Sequence, residues 1–382
     1  MTALIWKDLR HHARQWLWSL LVTATGGVFI GVIIVSWWSA LQWSAGRGDA
    51  AESAKYSSLT NILGSTLLGY SGLSIAVVVS TTLALTVTAQ ARSHALWKII
   101  GIPSRRVRNV ILAQVGAVGL LGGLIGALAA PPATGWYLLS WRDLQLYPAD
   151  MPVVVPIFAV PLTVGVTTVF SLLGGWGAAQ RAASTPEMQA LRDAVAPAAR
   201  THPWQWVIAG VLVLGAAFTL AIALIDPANL AGLFRGIDPE AAADFEEMGG
   251  MRGGAQTLGG SVVLLAMVAS LCVPGWTIRP LLTGWTSLVP GRGPAWFAAR
   301  ANARHRSTLS LTTIVPFGTA VGMTGVVYAI VGAGRAGGST STVSGFLAIA
   351  VPIFAISGAG GVANIAMVGS TRRQEGALLG VI

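Results

Sequence analysis

The chain has 382 residues, 54% of them hydrophobic and only 10% charged, with a mean hydropathy of +0.68. A water-soluble domain carries about 25% charged residues to solvate its surface, and one core cannot hide this much apolar area. The composition therefore excludes an ordinary soluble protein, and the net charge of +10 has to be explained by where the basic residues fall.

Roughly 20 apolar residues cross the hydrocarbon of a bilayer as a helix, because every backbone polar group must find its partner within the segment. That ruler predicts an all-α, polytopic membrane protein with about eight transmembrane helices, at 16–43, 67–89, 110–131, 153–178, 204–225, 258–278, 309–331 and 343–366. None of these spans contains Asp, Glu, Lys, Arg or His. The first is too long for the apolar region of a signal peptide and reads as a retained, tilted helix. Tryptophans gather near the predicted span ends, at Trp16, Trp18, Trp37, Trp38, Trp43, Trp136, Trp141, Trp204 and Trp206, as expected of anchors at headgroup level.

With the N-terminus inside, the inner segments hold eighteen of the 24 Lys and Arg. The outer segments hold only Arg47, Lys55, Arg142, Arg235, Arg252 and Arg335, while ten of the 14 acidic residues lie outside. Cytoplasmic loops retain Lys and Arg, so the positive charge reflects orientation and anionic lipid headgroups rather than a nucleic-acid partner. The longest outer segment, 226–256, carries Asp238, Glu240, Asp244, Glu246 and Glu247 without regular ligand spacing, and reads as a solvated surface helix. The five histidines lie on the inner side, only His11 and His12 are adjacent, and Cys272 is the single cysteine. No metal site, catalytic carboxylate pair or nucleophile set is discernible, and no enzyme activity is expected of this chain alone.

In the third span Gly119 and Gly123, then Gly122 and Gly126, recur four apart, as do Gly27 with Gly31 and Gly318 with Gly322. Small residues at that spacing let helix backbones approach closely. Two inner segments matter more. The first, 90–108, runs Gln-Ala-Arg-Ser-His-Ala-Leu-Trp-Lys-Ile-Ile-Gly-Ile-Pro-Ser-Arg-Arg-Val-Arg; the second, 369–382, contains Arg372, Arg373, Glu375, Ala377, Leu378 and Leu379. Aligned on Arg92 and Arg373, with a one-residue gap opposite Gly376, they form an internal repeat with a period of about 280 residues.

These residues resemble the FtsX-like permease family, the membrane subunits of MacB-type ABC systems. In that family a span ends in a basic, Ala-Leu-Leu-containing stretch that closes on Gly and leads through basic residues into a glycine-rich span. Arg92, Ala95, Leu96, Lys98, Ile100 and Gly101, followed by Arg105 and Arg106, match the first copy. Arg373, Glu375, Ala377, Leu378 and Leu379 match the second. Arg181, Ala182, Ala183, Pro186, Ala190, Leu191 and Arg192 resemble the stretch that follows the last span of a unit. The segments 299–306 and 6–14 resemble the basic helix before each first span. His94 and Gln114 stand where the family often has Glu, and the large extracellular domain of MacB-type members has no counterpart.

The resemblance implies a first unit at 1–200, a two-span linker at 201–290 and a second unit at 291–382. That second unit is expected to stop at Ile382 inside its coupling motif, after its second span; about ten spans in all are expected of a chain whose second unit is complete. It implies a permease of a bacterial plasma membrane that couples a separate, dimeric ABC-type ATPase to export or extraction of an amphipathic or lipid-like substrate. ATP and Mg would be bound by that partner, with no cofactor in this chain. A lipoprotein or a second permease subunit is a further expected partner. The alternative is a signal transmitter that moves nothing and relays ATPase motion to an extracytoplasmic partner. The coupling residues would be Arg92, Leu96, Trp97, Lys98, Ile100, Gly101, Arg105 and Arg106, with Arg373, Glu375 and Leu378 in the second copy. No Gly-x-x-x-x-Gly-Lys-[Ser/Thr] phosphate loop occurs, and no span carries the ionisable group of an ion-coupled carrier.

The topology is directly testable. With Cys272 replaced, cysteines placed at Ser58 and Thr257 are expected to react with a membrane-impermeant maleimide from outside intact cells. Labelling from the cytoplasmic face alone would invert the orientation.

Overall fold

The computed structural model describes residues 13–46, 50–143, 151–184, 203–224, 307–336 and 343–379, with scattered positions between 262 and 301. Among the described residues the long elements are all helices: α1 (Ala13–Ala45), α2 (Ala50–Ala89), α3 (Ala91–Ile99), α4 (Ser104–Asp143), α5 (Ala159–Ser184), α6 (Pro203–Leu224), α7 (Ser307–Ala336) and α8 (Val343–Leu379). Five stretches are long and apolar enough to cross a membrane: Gln15–Ala45, Gly64–Val87, Ser104–Leu139, Ala159–Ser184 and Ala350–Gly369. Shorter apolar stretches, Gln205–Ala221 and Ile314–Val326, lie in α6 and α7. The chain is thus an all-helical membrane protein. The expected span at 258–278, the acidic segment 226–256 and the basic segments 6–14 and 299–306 fall largely outside the described residues.

The chain divides into two compact units. One comprises Met1–Ala198, Arg292–Gly318 and Val351–Ile382, the other Ala199–Gly291 and Thr319–Ala350. Neither is a single stretch of chain, whereas the segments drawn from the sequence are contiguous. In the first unit α1 packs on α2, α4 and α5, and α5 packs on α4 and α2, so the perimeter of a four-helix bundle runs α1–α2–α5–α4. Its core is aliphatic, with Val22 and Ile30 from α1, Ile75 and Leu83 from α2, and Ile111 and Val115 from α4. In the second unit Gly215 of α6 lies against Leu265, and Gly322 of α7 against Met267.

Glycine sets the spacing of the bundle. A Cβ on Gly119 would lie 3.1 Å from the Thr168 Cα, and one on Gly123 would lie 2.9 Å from the Val164 Cα, so this pair seats α4 on α5. Gly122 and Gly126 face the other way: a side chain there would collide with Thr23 and with the Gly27–Val28 backbone of α1. Close approach lets the Thr23 hydroxyl reach the Val118 carbonyl across the interface at 3.3 Å, as well as its own helix at Ser19 and Leu20. The remaining face of α4 is aliphatic and exposed, with Leu120, Leu121, Leu124, Ile125 and Leu128, which is where lipid belongs.

Several boundaries differ from the sequence reading, each for a local reason. The expected outer loop at 44–63 is mostly helix. α1 runs to Ala45 and α2 starts at Ala50, far ahead of its apolar stretch at Gly64, because Ala-rich sequence outside the bilayer can remain helical. At 40 residues and 1.5 Å per residue, α2 is roughly 60 Å long, about twice the hydrocarbon thickness. The extension is fastened by the Trp37 indole N–H donating to Asn61 Oδ1 at 3.0 Å and by an edge-on Trp43–Tyr56 contact. α5 begins at Ala159 rather than at 153, since Pro152 and Pro156 hold the preceding residues out of the helical region. There the Val154 amide donates to the buried Ser39 hydroxyl at 2.9 Å. α4 continues through Pro131 and Pro132 to Asp143. Trp16, expected at the membrane surface, is 4% exposed and belongs to the core. Gly318, expected to pack with Gly322, has open space where a side chain would stand.

The glycine geometry predicts opposite outcomes for one substitution at two sites on α4. Gly135→Ala, with nothing within 4 Å of the new methyl, should stabilise by up to about 1 kcal/mol through helix propensity. Gly126→Ala should destabilise by about 1–3 kcal/mol by forcing α1 and α4 apart. Thermal unfolding in detergent distinguishes the two; equal shifts would mean that the α1–α4 contact is looser than this.

Candidate functional site

The segment 90–108 forms a short helix and two turns at one end of the bundle. The helix breaks at Gln90, which keeps its backbone bonds to Thr86 and His94 while its side-chain amide donates to Gln15 Oε1 on α1 at 3.1 Å. α3 follows for nine residues. It ends in a Schellman motif, with the Gly101 amide donating to Lys98 O at 2.9 Å and the Ile102 amide to Trp97 O at 3.0 Å. That motif needs a left-handed residue, and Gly101 has φ +97°, which only glycine adopts without strain. Pro103 then opens α4, accepting from the Arg106 and Val107 amides.

The side chains of α3 divide into two sets. His94 and Ala95 are buried, and the Trp97 ring stands edge-on to His94 with centroids 5.3 Å apart. Leu96, Ile99 and Ile100, spaced as one helical face, point outward, Ile100 being 79% exposed. The sequence reading placed Trp97 in the contact set; the structure turns it half inward and makes Ile99 the stronger outward residue. Lys98 reaches across the bundle end, its Nζ donating to the Ala183 carbonyl of α5 at 2.7 Å. A cation suits that position, at the negative end of a helix dipole. Arg108 makes a second tie to α5, donating from Nη1 to Gln180 Oε1 at 3.3 Å and lying 5.6 Å over the Trp176 ring. Arg105 and Arg106 are exposed, and no Asp or Glu occurs anywhere in 90–108.

Of the remaining expected residues, Arg92 is in the first turn of α3, and Arg373, Glu375 and Leu378 lie in the last turns of α8. The two copies of the repeat differ: the first breaks from its span at Gln90, whereas α8 runs unbroken to Leu379. Gln114 is fully buried in α4. Gly119, Gly122, Gly123 and Gly126 are in the helix contacts described above. Among the described residues no group of His, Cys, Asp or Glu could hold a metal ion.

Sequence reasoning passed over Asn364. It is fully buried in α8, and its amide donates to Thr81 Oγ1 of α2 at 3.2 Å and to the Thr312 carbonyl of α7 at 2.7 Å. An Asn inside an apolar span was the available signal. The chain was compared with family models, curated proteins and solved structures, and none matches.

Gly101→Ala isolates the turn, because a methyl there has space around it and its cost is conformational, about 1–2 kcal/mol. Hydrogen exchange of the Gly101 and Ile102 amides should accelerate about tenfold, with the spans unaffected. Unchanged protection would remove the left-handed turn from the account of α3.

Proposed function

We propose that the chain is the permease subunit of an ABC-type transporter in a bacterial plasma membrane, with its N-terminus in the cytoplasm. A separate ATPase docks on α3 and drives export or extraction of an amphipathic or lipid-like substrate. The carrying observation is the surface of 90–108. A short, fastened helix presents Leu96, Ile99 and Ile100 outward beside exposed Arg105 and Arg106, with no acidic residue in the segment to neutralise them. Such a surface suits an apolar groove rimmed by carboxylates. The energy source lies outside the chain, which has neither a phosphate loop nor an ionisable group within its spans.

Through the chain, motion of a docked partner enters α2 and α4; through the Lys98–Ala183 bond it also enters α5. The FtsX-like, duplicated reading draws support from the contacts of α8 on α2. Asn364 with Thr81 and Met367 with Thr86 are 283 and 281 residues apart, within two residues of the spacing of Arg92 from Arg373 in the internal repeat. Equivalent positions of two copies meet in this way around a local two-fold axis. The signal-transmitter alternative gains one observation, the N-terminal extension of α2 ahead of Gly64, which gives an extracytoplasmic partner something to hold.

The test is co-purification of an ABC-type ATPase with this chain from its native cells, followed by ATP hydrolysis in nanodiscs. Ile99→Asp with Ile100→Asp, combined with Arg105→Glu and Arg106→Glu, should leave the chain inserted and reduce ATPase recovery at least about tenfold, equivalent to about 1.4 kcal/mol. Wild-type recovery by this variant would reduce the segment to a topology signal. An ATPase that never co-purifies with the unmodified chain would end the ABC reading.

A further inference from the structure

α8 lies on α2 with both chains running the same way, since Val78 meets Gly360, Thr81 meets Asn364, and Thr86 meets Met367. One and two turns before Val78, on the same face of α2, stand Ser74 and Ser71; one turn before Gly360, on the facing side of α8, stands Ser357. All three are at most 1% exposed, and none of their hydroxyls has a hydrogen-bond partner. Asn364, with both amide hydrogens engaged nearby, has a buried and unpartnered Oδ1.

Helix packing does not require this arrangement. Elsewhere in the bundle Ser39, Thr82 and Ser171 each donate to the carbonyl four residues back, an outlet open to any helical serine. Thr163 and Thr167 also lack partners, but their side chains fill the space beside Gly31 and Gly123. On α1, Ser19 and the Trp16 indole nitrogen lie one turn apart, and Ser36 stands singly. On the α2–α8 seam four unpartnered polar atoms, drawn from two facing helices, share one line. Leaving buried polar atoms unmade costs stability, and natural proteins retain such a cost where function uses it.

We propose that this seam is a binding site for the uncharged, hydrogen-bonding head of a membrane-embedded ligand, with Ser71, Ser74, Ser357 and Asn364 as its polar contacts. The ligand class follows from the lining. Hydroxyls and an amide can give and accept hydrogen bonds, but the apolar stretches Gly64–Val87 and Ala350–Gly369 hold no Lys, Arg, His, Asp or Glu. A phosphate head would be buried there with no counter-charge, which low dielectric forbids. A hydroxyl or amide head on an apolar body satisfies the serines and leaves its body against Val78, Ile353 and Ile356, all buried. The seam is closed in this structure, with Gly360 against the Val78 side chain, so the ligand enters as α8 moves off α2. None of this depends on the ATPase reading; where that reading holds, the ligand is the substrate.

The experiment uses the full chain alone in nanodiscs, with no ATPase present, so its result is separate from that of the docking test. Two photoactivatable lipids with the same acyl chains are compared: a diacylglycerol, with a neutral hydroxyl head, and a phosphatidic acid, with a charged one. Diacylglycerol crosslinks should map to 71–86 and 353–367 and fall roughly tenfold in the Ser71→Ala, Ser74→Ala, Ser357→Ala variant. Phosphatidic acid should label these segments no more than it labels the lipid-facing side of α4. The triple variant should melt at the same temperature or higher, because it removes unsatisfied polar atoms, so lost labelling is not lost fold. If it fails to insert, Ser357→Ala alone should lower labelling two- to threefold. A seam that diacylglycerol does not label, undiminished labelling of the variants, or equal labelling by phosphatidic acid would overturn the proposal.

Discussion

Backbone meets backbone where Gly126 of α4 lies on Gly27 and Val28 of α1, and the first unit is organised around that contact. In lipid, two apolar helices gain little by leaving hydrocarbon for each other, so association rests on how closely they approach and on the hydrogen bonds that approach permits. Removing side chains at Gly27, Gly122 and Gly126 brings α1 and α4 near enough for Thr23 to bond to Val118. Gly119 and Gly123 repeat the device on the adjacent face for α5. The aliphatic residues of α4 are then left for the bilayer.

The two ends of this bundle are finished with different chemistry. At one end neutral groups close the structure: Trp37 with Asn61, Ser39 with Val154, and edge-on contacts of Trp43 with Tyr56 and Trp38 with Phe158. At the other, charge is concentrated and only partly used. Lys98 and Arg108 are engaged with α5, while Arg105 and Arg106 are exposed and can face a partner across solvent. The exposed aliphatic face of α3 lies at this second end, where no lipid tail need cover it.

Five of the eight expected spans were legible, because hydropathy and length are properties of consecutive residues. The glycine contacts were half legible: spacing of four identified Gly119, Gly122, Gly123 and Gly126, but not that they divide between two partners, which depends on the position of α5. Gly318 and Gly322 carry the same spacing, and only Gly322 meets a neighbour. Helix continued beyond hydrocarbon over residues 50–63 was invisible to a hydropathy ruler, since polar sequence can be loop or helix outside the membrane. In α3 the inward turn of Trp97 was not legible, because it depends on a buried His94. Asn364 showed in the sequence only as an amide inside an apolar span, and its partners and the unpartnered serines required knowing which helix faces which.

Because α4 has its small residues committed on two sides at once, it is denied one kind of freedom. A rotation of α4 about its own axis would drive Leu120 or Leu124 into α5 or α1, where only glycine fits. The inexpensive displacement is to carry α1, α4 and α5 together as one rigid body. Among the described residues, α8 meets α2 through Asn364, Met367 and Gly360, and it places Ile356 and Ala363 in the shared core. It has no interlocked glycine faces of that kind. Within the first unit, the interlocked glycines therefore make α1, α4 and α5 the helices least able to shift against one another.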